Sequence, residues 1–150
     1  MRTSIIRLPP SVHGDDDRHG LIPRLIDLGR KKGVSAYVGE GTNRWPAVHR
    51  LDAARLYRLV LENGRAAGIY HGVAEEGVPF RVIAEVIGRR LNVPLVSKTP
   101  QEAAGHFSWL APFVAADNPV SAKLTQEQSD WHPTQPVLIP DIDRPDYFET

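Results

Sequence analysis

Apolar residues recur at helical spacing along much of this chain. Leu21, Leu25 and Leu28 share one face of a segment that runs to Lys32, with Pro23 near its first turn. Arg30, Lys31 and Lys32 suit the negative end of that helix, and Gly33 stops it. Ala53, Leu56, Leu59 and Val60 line a second helix, with Asp52 in its first turn and Asn63-Gly64 as its end. Phe80, Ile83, Ala84, Ile87 and Leu91 mark a third from Pro79 to Leu91, closed by Asn92 and Pro94. Thr99-Pro100-Gln101-Glu102 reads as a capping box that opens a fourth. That helix carries Ala103, Ala104, Phe107, Trp109 and Leu110, and Phe107, Trp109, Leu110 and Phe113 read as core or interface. Asn118-Pro119 breaks the chain, and Ser121 caps a short helix through Gln128.

Short apolar runs alternate with these helices, which predicts an α/β fold. Thr3 to Leu8 reads as a strand, and its adjacent Ile5 and Ile6 suggest burial on both faces, as in a parallel sheet. A parallel strand needs neighbours reached by crossovers, so later strands or a further polypeptide must supply them. Further strands are expected at Ala36 to Val38, Ile69 to Ala74 and Leu95-Val96, with a turn at Glu76-Gly77. Pro9 to Gly14 reads as a rigid loop, because two prolines cannot donate to a ladder. Gly39 to His49 reads as a Gly-rich turn and loop that presents Arg44, Trp45 and His49, braced by the helix that follows. Leu138 to Asp143 and Tyr147-Phe148 form a final docking segment.

Composition narrows the function classes. At 150 residues and 41% hydrophobic content the chain can bury one core. Eighteen basic residues balance eighteen acidic ones, so charge supplies no reason to expect a nucleic acid or an anionic membrane as partner. With no cysteine, disulfides, thiolate zinc sites and cysteine nucleophiles are ruled out together. No apolar run approaches the roughly 20 residues that span a bilayer. The N-terminus lacks a signal-peptide core, and the expected location is the cytoplasm.

Candidate chemistry is sparse. His13, Asp15, Asp16, Asp17 and His19 offer metal-ligating types, but adjacent aspartates define no coordination geometry, and a solvated loop is the plainer reading. Ser11 near His13 and Ser108 near His106 lack the elbow of a nucleophilic serine, so a hydrolase is not expected. Gly39-x-Gly41 is no dinucleotide fingerprint, since Arg44 stands at the third glycine position and no helix opens at the second glycine.

Gly41, Arg44, Val48-His49 and Asp52-Ala53-Ala54 follow in an order that resembles the substrate-side segment of the extended short-chain dehydrogenase/reductases, the NAD-dependent epimerases and dehydratases. Pro9-Pro10-Ser11-Val12-His13-Gly14 is similar to that family's Pro-Pro-x-Val-Tyr-Gly run, with His13 in the Tyr slot and Leu8 where Arg is frequent. Ser129-Asp130-Trp131-His132-Pro133 resembles its Leu-Gly-Trp-x-Pro signature, whose Trp packs the C-terminal tail; Ser129 and Asp130 depart from it. The resemblance implies that Pro10, Ser11 and Val12 line a nicotinamide pocket for NAD or NADP. It also implies that Arg44, Trp45 and His49 face the substrate, Arg44 through an anionic group and His49 as a brace. The substrate it implies is a small molecule such as a nucleotide sugar or another carbinol, and the loop of residues 14–20 would approach it.

The resemblance runs from about Thr3 to Phe148 and covers only the C-terminal half of such proteins. It implies the last strands of a Rossmann-type sheet: residues 1–14 belong to the nucleotide-binding sheet, and 15–150 form a substrate-binding lobe. The Gly-rich pyrophosphate turn and the Tyr-x-x-x-Lys acid/base pair are absent. Tyr37, Tyr57 and Tyr70 are followed at that spacing by Gly41, Leu61 and Ala74, and Tyr147 has no such position. The chain alone is therefore expected not to be catalytic. The alternative is a binding or scaffold protein that associates with a partner supplying the missing half, or with itself through its N-terminal strand.

Overall fold

The computed structural model describes residues 3–63 and 67–149, as a mixed α/β fold with seven strands in three small sheets. The strands are β1 (Ile5–Arg7), β2 (Ser11–His13), β3 (Ser35–Val38), β4 (Arg44–His49), β5 (Ile69–His71), β6 (Glu75–Pro79) and β7 (Leu95–Lys98). The helices are α1 (Leu21–Lys32), α2 (Arg50–Asn63), α3 (Phe80–Leu91), α4 (Pro100–Phe107), α5 (Ala111–Ala115), α6 (Lys123–Ser129) and α7 (Leu138–Ile142). Three pairs are parallel: β1 with β5, β2 with β4 and β3 with β7. β6 returns antiparallel to β4, with the register shifting between Trp45 and Ala47. Pro46 lies at that shift, where a residue without an N–H does least harm to the ladder.

Local signals close α1 and α3 and open α4 where the sequence predicts, but α4 stops at Phe107 and the expected Trp109 and Leu110 fall on a separate 3-10 turn. Gly33 closes α1 in the left-handed conformation, its N–H donating to Gly29 O. Thr99 and Glu102 form the reciprocal capping box of α4. Asn92, at φ 54°, takes the C-cap of α3. Gly64, expected to end α2, lies outside the described residues. Gly41, at φ +68°, turns the chain into β4, and a Cβ there would stand 2.6 Å from Arg81 Cβ and 2.7 Å from Tyr37 Cδ2. Only glycine satisfies both the conformation and the contact.

Two cores form. The larger joins α1, β3, α3, α4 and α7 to the inner face of β4 and β6, with Ile22, Trp45, Phe80, Ile83 and Leu138 at its centre. The smaller joins α2 to β5 through Val48, Leu56, Val60, Tyr70 and Trp131. Phe107 and Leu110 are core, whereas Trp109 and Phe113 lie exposed with their rings edge to face. α7 realises the expected docking segment, burying Leu138 and Ile142.

Several expectations need correction. The first strand is shorter than Thr3 to Leu8 and is not buried on both faces: Ile5 is 52% exposed, Arg7 is exposed and Ile6 half-buried. The cause is that among the described residues β1 pairs with β5 alone, and Ile69, beside Ile5 in register, is itself 50% exposed. The run after it is not all loop, because Ser11–His13 recovers as a strand on β4 once past the prolines. Arg44 to His49 is likewise a strand rather than a loop. Glu76-Gly77 lies inside β6 instead of a turn, and Pro79 ends that strand before α3 begins. Ser121 accepts from Lys123 N at 3.3 Å, but the N-cap of α6 is Ala122.

Candidate functional site

β4 sits in the middle of its sheet, so its side chains are sorted between the cores and the rim. Trp45 is 1% exposed, donates its indole N–H to Phe113 O at 2.8 Å and meets the Phe80 ring edge-on at 4.9 Å. It is a core residue, and no surface of it is open to a substrate. Arg44, at the first position of β4, stays exposed. Its backbone N–H and Nε donate to Asp117 Oδ1 at 2.8 and 3.0 Å, and Nη2 donates to Oδ2 at 2.9 Å. The pair shifts both groups apart: the hydrogen bond to Asp117 raises the guanidinium, and the same bond holds the Asp117 carboxyl below its usual range.

His49 ends β4 and is buried, its Nδ1 accepting from Leu51 N at 3.2 Å. This bond ties it to the start of α2. Burial, followed by the nearby His13, pushes its pKa down. His13, beside it in register, meets its ring edge-on at 5.3 Å. His13 Nδ1 lies 2.7 Å from Asp141 Oδ2 on α7, and both residues are buried. Asp141 Oδ1 in turn receives Arg144 at 2.9 Å, and Arg144 also reaches Asp15 at 2.8 Å.

Tyr147 closes this network. Its hydroxyl accepts from Gly14 N at 2.9 Å and stands 3.1 Å from Gly14 O and 3.2 Å from Asp141 Oδ2, either of which its proton can serve. Burial is the main reason its ionisation is driven well above the ordinary tyrosine value. The network fastens the residues after β2 to the C-terminal tail. A cleft of about 690 Å³ opens beside it, lined by Asp15, Asp17, Arg30, Arg144 and Tyr147 among others. Among the described residues no three His, Asp or Glu side chains converge as a metal site requires.

Pro10 and Val12 are half-buried, and Ser11 between them is 2% exposed. Ser11 Oγ is a buried side-chain polar atom with no hydrogen-bond partner among the described residues. Such an orphan is uncommon in a native fold and leaves one donor and acceptor unspent on this strand. Ser11 and Val12 point to opposite faces of the sheet, Ser11 beside Ala47 of the larger core and Val12 beside Val48 of the smaller one.

Sequence reasoning missed three features of the site. Asp117 lies on a loop far from Arg44 in the chain, and Asp141 is 128 residues from His13. Asp52, expected to cap its own helix, is buried and turns outward from it: its carboxylate accepts from Thr134 N and Gln135 N at 3.0 Å each. Trp131, fully buried, donates to Asp52 O at 2.9 Å, so the expected Trp anchor of the tail bears on α2.

This architecture is an α/β fold of Rossmann type, seen in solved NAD(P)-dependent epimerases and dehydratases. The dTDP-glucose 4,6-dehydratase DesIV of Streptomyces venezuelae, solved with NAD, superposes with a TM-score of 0.69 at 18% identity, over 97% of this chain and 43% of its own. Human epimerase family protein SDR39U1, solved with NADPH, gives 0.68 at 18% identity, over 95% and 47%. In sequence the chain is similar to two uncharacterised yeast proteins. It is 51% identical over 148 residues to C2A9.02 of Schizosaccharomyces pombe, and 49% identical over 138 residues to YLL056C of Saccharomyces cerevisiae. These matches take 99% and 92% of this chain but 50% and 46% of the relatives, so the chain spans about half the length of the curated relatives it matches. No protein-family model matches it.

Proposed function

We propose that this chain is the C-terminal, substrate-binding portion of an NAD(P)-dependent epimerase/dehydratase-like oxidoreductase. The observation that carries the reading is a fold covered almost end to end by nicotinamide-dependent neighbours, while less than half of each neighbour is covered in return. The thin β1–β5 pair supports it. A parallel sheet of two strands with apolar side chains in water is unusual, since parallel sheets are normally covered on both faces. Residues 1–14 then belong to the nucleotide-binding sheet, and 15–150 form the lobe beyond it. In the complete enzyme a hydride passes between nicotinamide and a carbinol carbon. Pro10, Ser11 and Val12 border the nicotinamide. Arg44 and His49 stand on the substrate side, His49 as a brace.

One observation favours a second reading, a scaffold that works through association. Ile5, Leu8 and Ile69 expose apolar surface along β1 and β5, and Leu51, Tyr57 and Leu61 do so along α2. A complementary half, or a second copy through the β1 edge, would cover them.

Calorimetric titration with NAD and NADP separates these readings. The folded chain alone is expected not to bind, and the chain mixed with the unmatched half of the Schizosaccharomyces pombe relative is expected to bind one of them. Micromolar binding by the chain alone would overturn the need for a second half. A complex that forms but takes up neither nucleotide would favour the scaffold.

A further inference from the structure

Arg44 is the first residue of β4, and its stem lies across Gly77 of β6, where an added Cβ would stand 2.9 Å from Arg44 Cβ. The residues that close over it belong to the loop after α5. Besides the three bonds from Arg44 to Asp117, Asn118 N donates to Arg44 O at 3.0 Å. The neighbouring Asn43 Nδ2 donates to Val114 O at 2.7 Å and Ala116 O at 3.0 Å. Six hydrogen bonds therefore tie residues 114–118 to the start of β4, and Asp117 takes the Nε–Nη2 edge of the guanidinium, one of its two edges that can grip an anion in bidentate fashion, and neutralises its charge.

The partners are 48% and 49% exposed, so the pair adds little to global stability. Its effect on a ligand is larger. A carboxylate held in place by its own backbone competes with an outside anion at a high effective concentration. Once displaced, it would stand as a like charge beside the newcomer. The other guanidinium at this corner offers no substitute. Arg81, whose N–H donates to Gly41 O, gives its Nε to Glu85 at 3.0 Å and lies over the Tyr37 ring at 5.3 Å.

We infer that Asp117 closes Arg44 to anionic ligands, so that this site takes an uncharged hydroxyl or carbonyl compound rather than a nucleoside diphosphate sugar. The inference rests on the proposed substrate side of the chain and narrows it. Arg44 becomes a positioning residue that holds residues 114–118 over the site, and Asp117 sets specificity by excluding charge.

The test follows the Arg44 Nε–H resonance in the nitrogen-15-labelled full chain, assigned by its loss in Arg44→Lys, during titration with inorganic pyrophosphate. In the wild type the resonance is expected to stay in place. In Asp117→Asn it should shift and saturate, with an apparent affinity gain on the order of tenfold or more. Asp117→Ser, which keeps an acceptor for Arg44 N–H, gives the same readout should the Asn variant lose its fold. Wild-type binding as tight as in the variants, or no binding in either variant, would overturn the inference. Because neither nicotinamide nor a second half enters this titration, its failure is separate from failure of the enzyme reading.

Discussion

The lobe around β4 and the sheet of β1 and β5 are built from similar residues and end in opposite states. β4 has a strand on each side and layers above and below, and five of its six residues are buried. β1 has one partner, and two of its three residues are exposed. Isoleucine at residue 5 or 69 is as apolar as isoleucine at 83, yet only Ile83 is removed from water. Hydrophobicity along a chain thus states what a strand is suited to. Burial depends on whether a second layer arrives, and among the described residues β1 and β5 have one on a single face, where Ile6 and Tyr70 meet the α2 core, while Ile5 and Ile69 on the other face stay in water.

The largest effect should come from breaking the complete region. Trp45→Ala removes a buried ring, its contact with Phe80 and the bond to Phe113 O. A loss of about 3–5 kcal/mol in urea unfolding is expected. Ile5→Ser and Ile69→Ser, made in the same chain, should change stability by less than about 0.5 kcal/mol. If the isoleucine variants cost as much as the tryptophan one, the thin sheet is buried in solution and the contrast fails.

Asp52 joins the two regions, since it begins α2 under β5 while its carboxylate holds the tail beyond Trp131. Asp52→Ala leaves the N–H groups of Thr134 and Gln135 without their acceptor and should cost about 3 kcal/mol. Asp52→Asn keeps one carbonyl oxygen and should recover part of the loss. Unfolding curves with Trp131 fluorescence as a second probe would check this. An unchanged midpoint in both variants would show that the tail is held by packing alone.

These residues show what could be read in the chain and what could not. The Thr99–Glu102 box and the Gly33 cap were legible because each is closed within a few residues. The faces of α2 and α3 were legible because burial follows one period, whereas α1 buries Ile22, Leu25, Ile26 and Gly29 and leaves the expected Leu21 and Leu28 half-buried at the edge of that face. β6 was not, since Glu75-Glu76-Gly77 has no alternation, and its strand character is imposed by β4 alongside. Ser11–His13 was hidden by two prolines, although a proline restricts only its own position and the one before it. Within the site, the sequence could nominate Arg44, but Asp117 arrives from a loop and His13 finds Asp141 across nearly the whole chain. No spacing rule connects such pairs. Trp45 was misplaced for the same reason: an aromatic beside an arginine looks like a binding loop until a strand on either side turns it inward.

The smallest expected effect separates the regions by acid. His49 and His106 are buried and their pKa values are lowered, in both chiefly by burial, then by His13 for His49 and by Lys32 and Lys98 for His106. Asp141, Asp52 and Asp15 pull His49 the other way without reversing it. An unfolded chain takes up these protons near the ordinary value of 6.5, whereas the folded lobe does so only at lower pH. Between those two points the unfolded state binds more protons, so stability falls as pH is lowered. Protection factors from amide exchange in β4 and α3, which exchange by global opening, should therefore drop between about pH 7 and pH 5.5. Those of β1 and β5 should stay level once the intrinsic rate is corrected, because they open locally without exposing either histidine. His106→Gln should flatten part of the drop in the lobe and leave β1 untouched. An equal acid response in both regions would mean that they open as one unit, and β1 would then belong to the cooperative core despite its exposure.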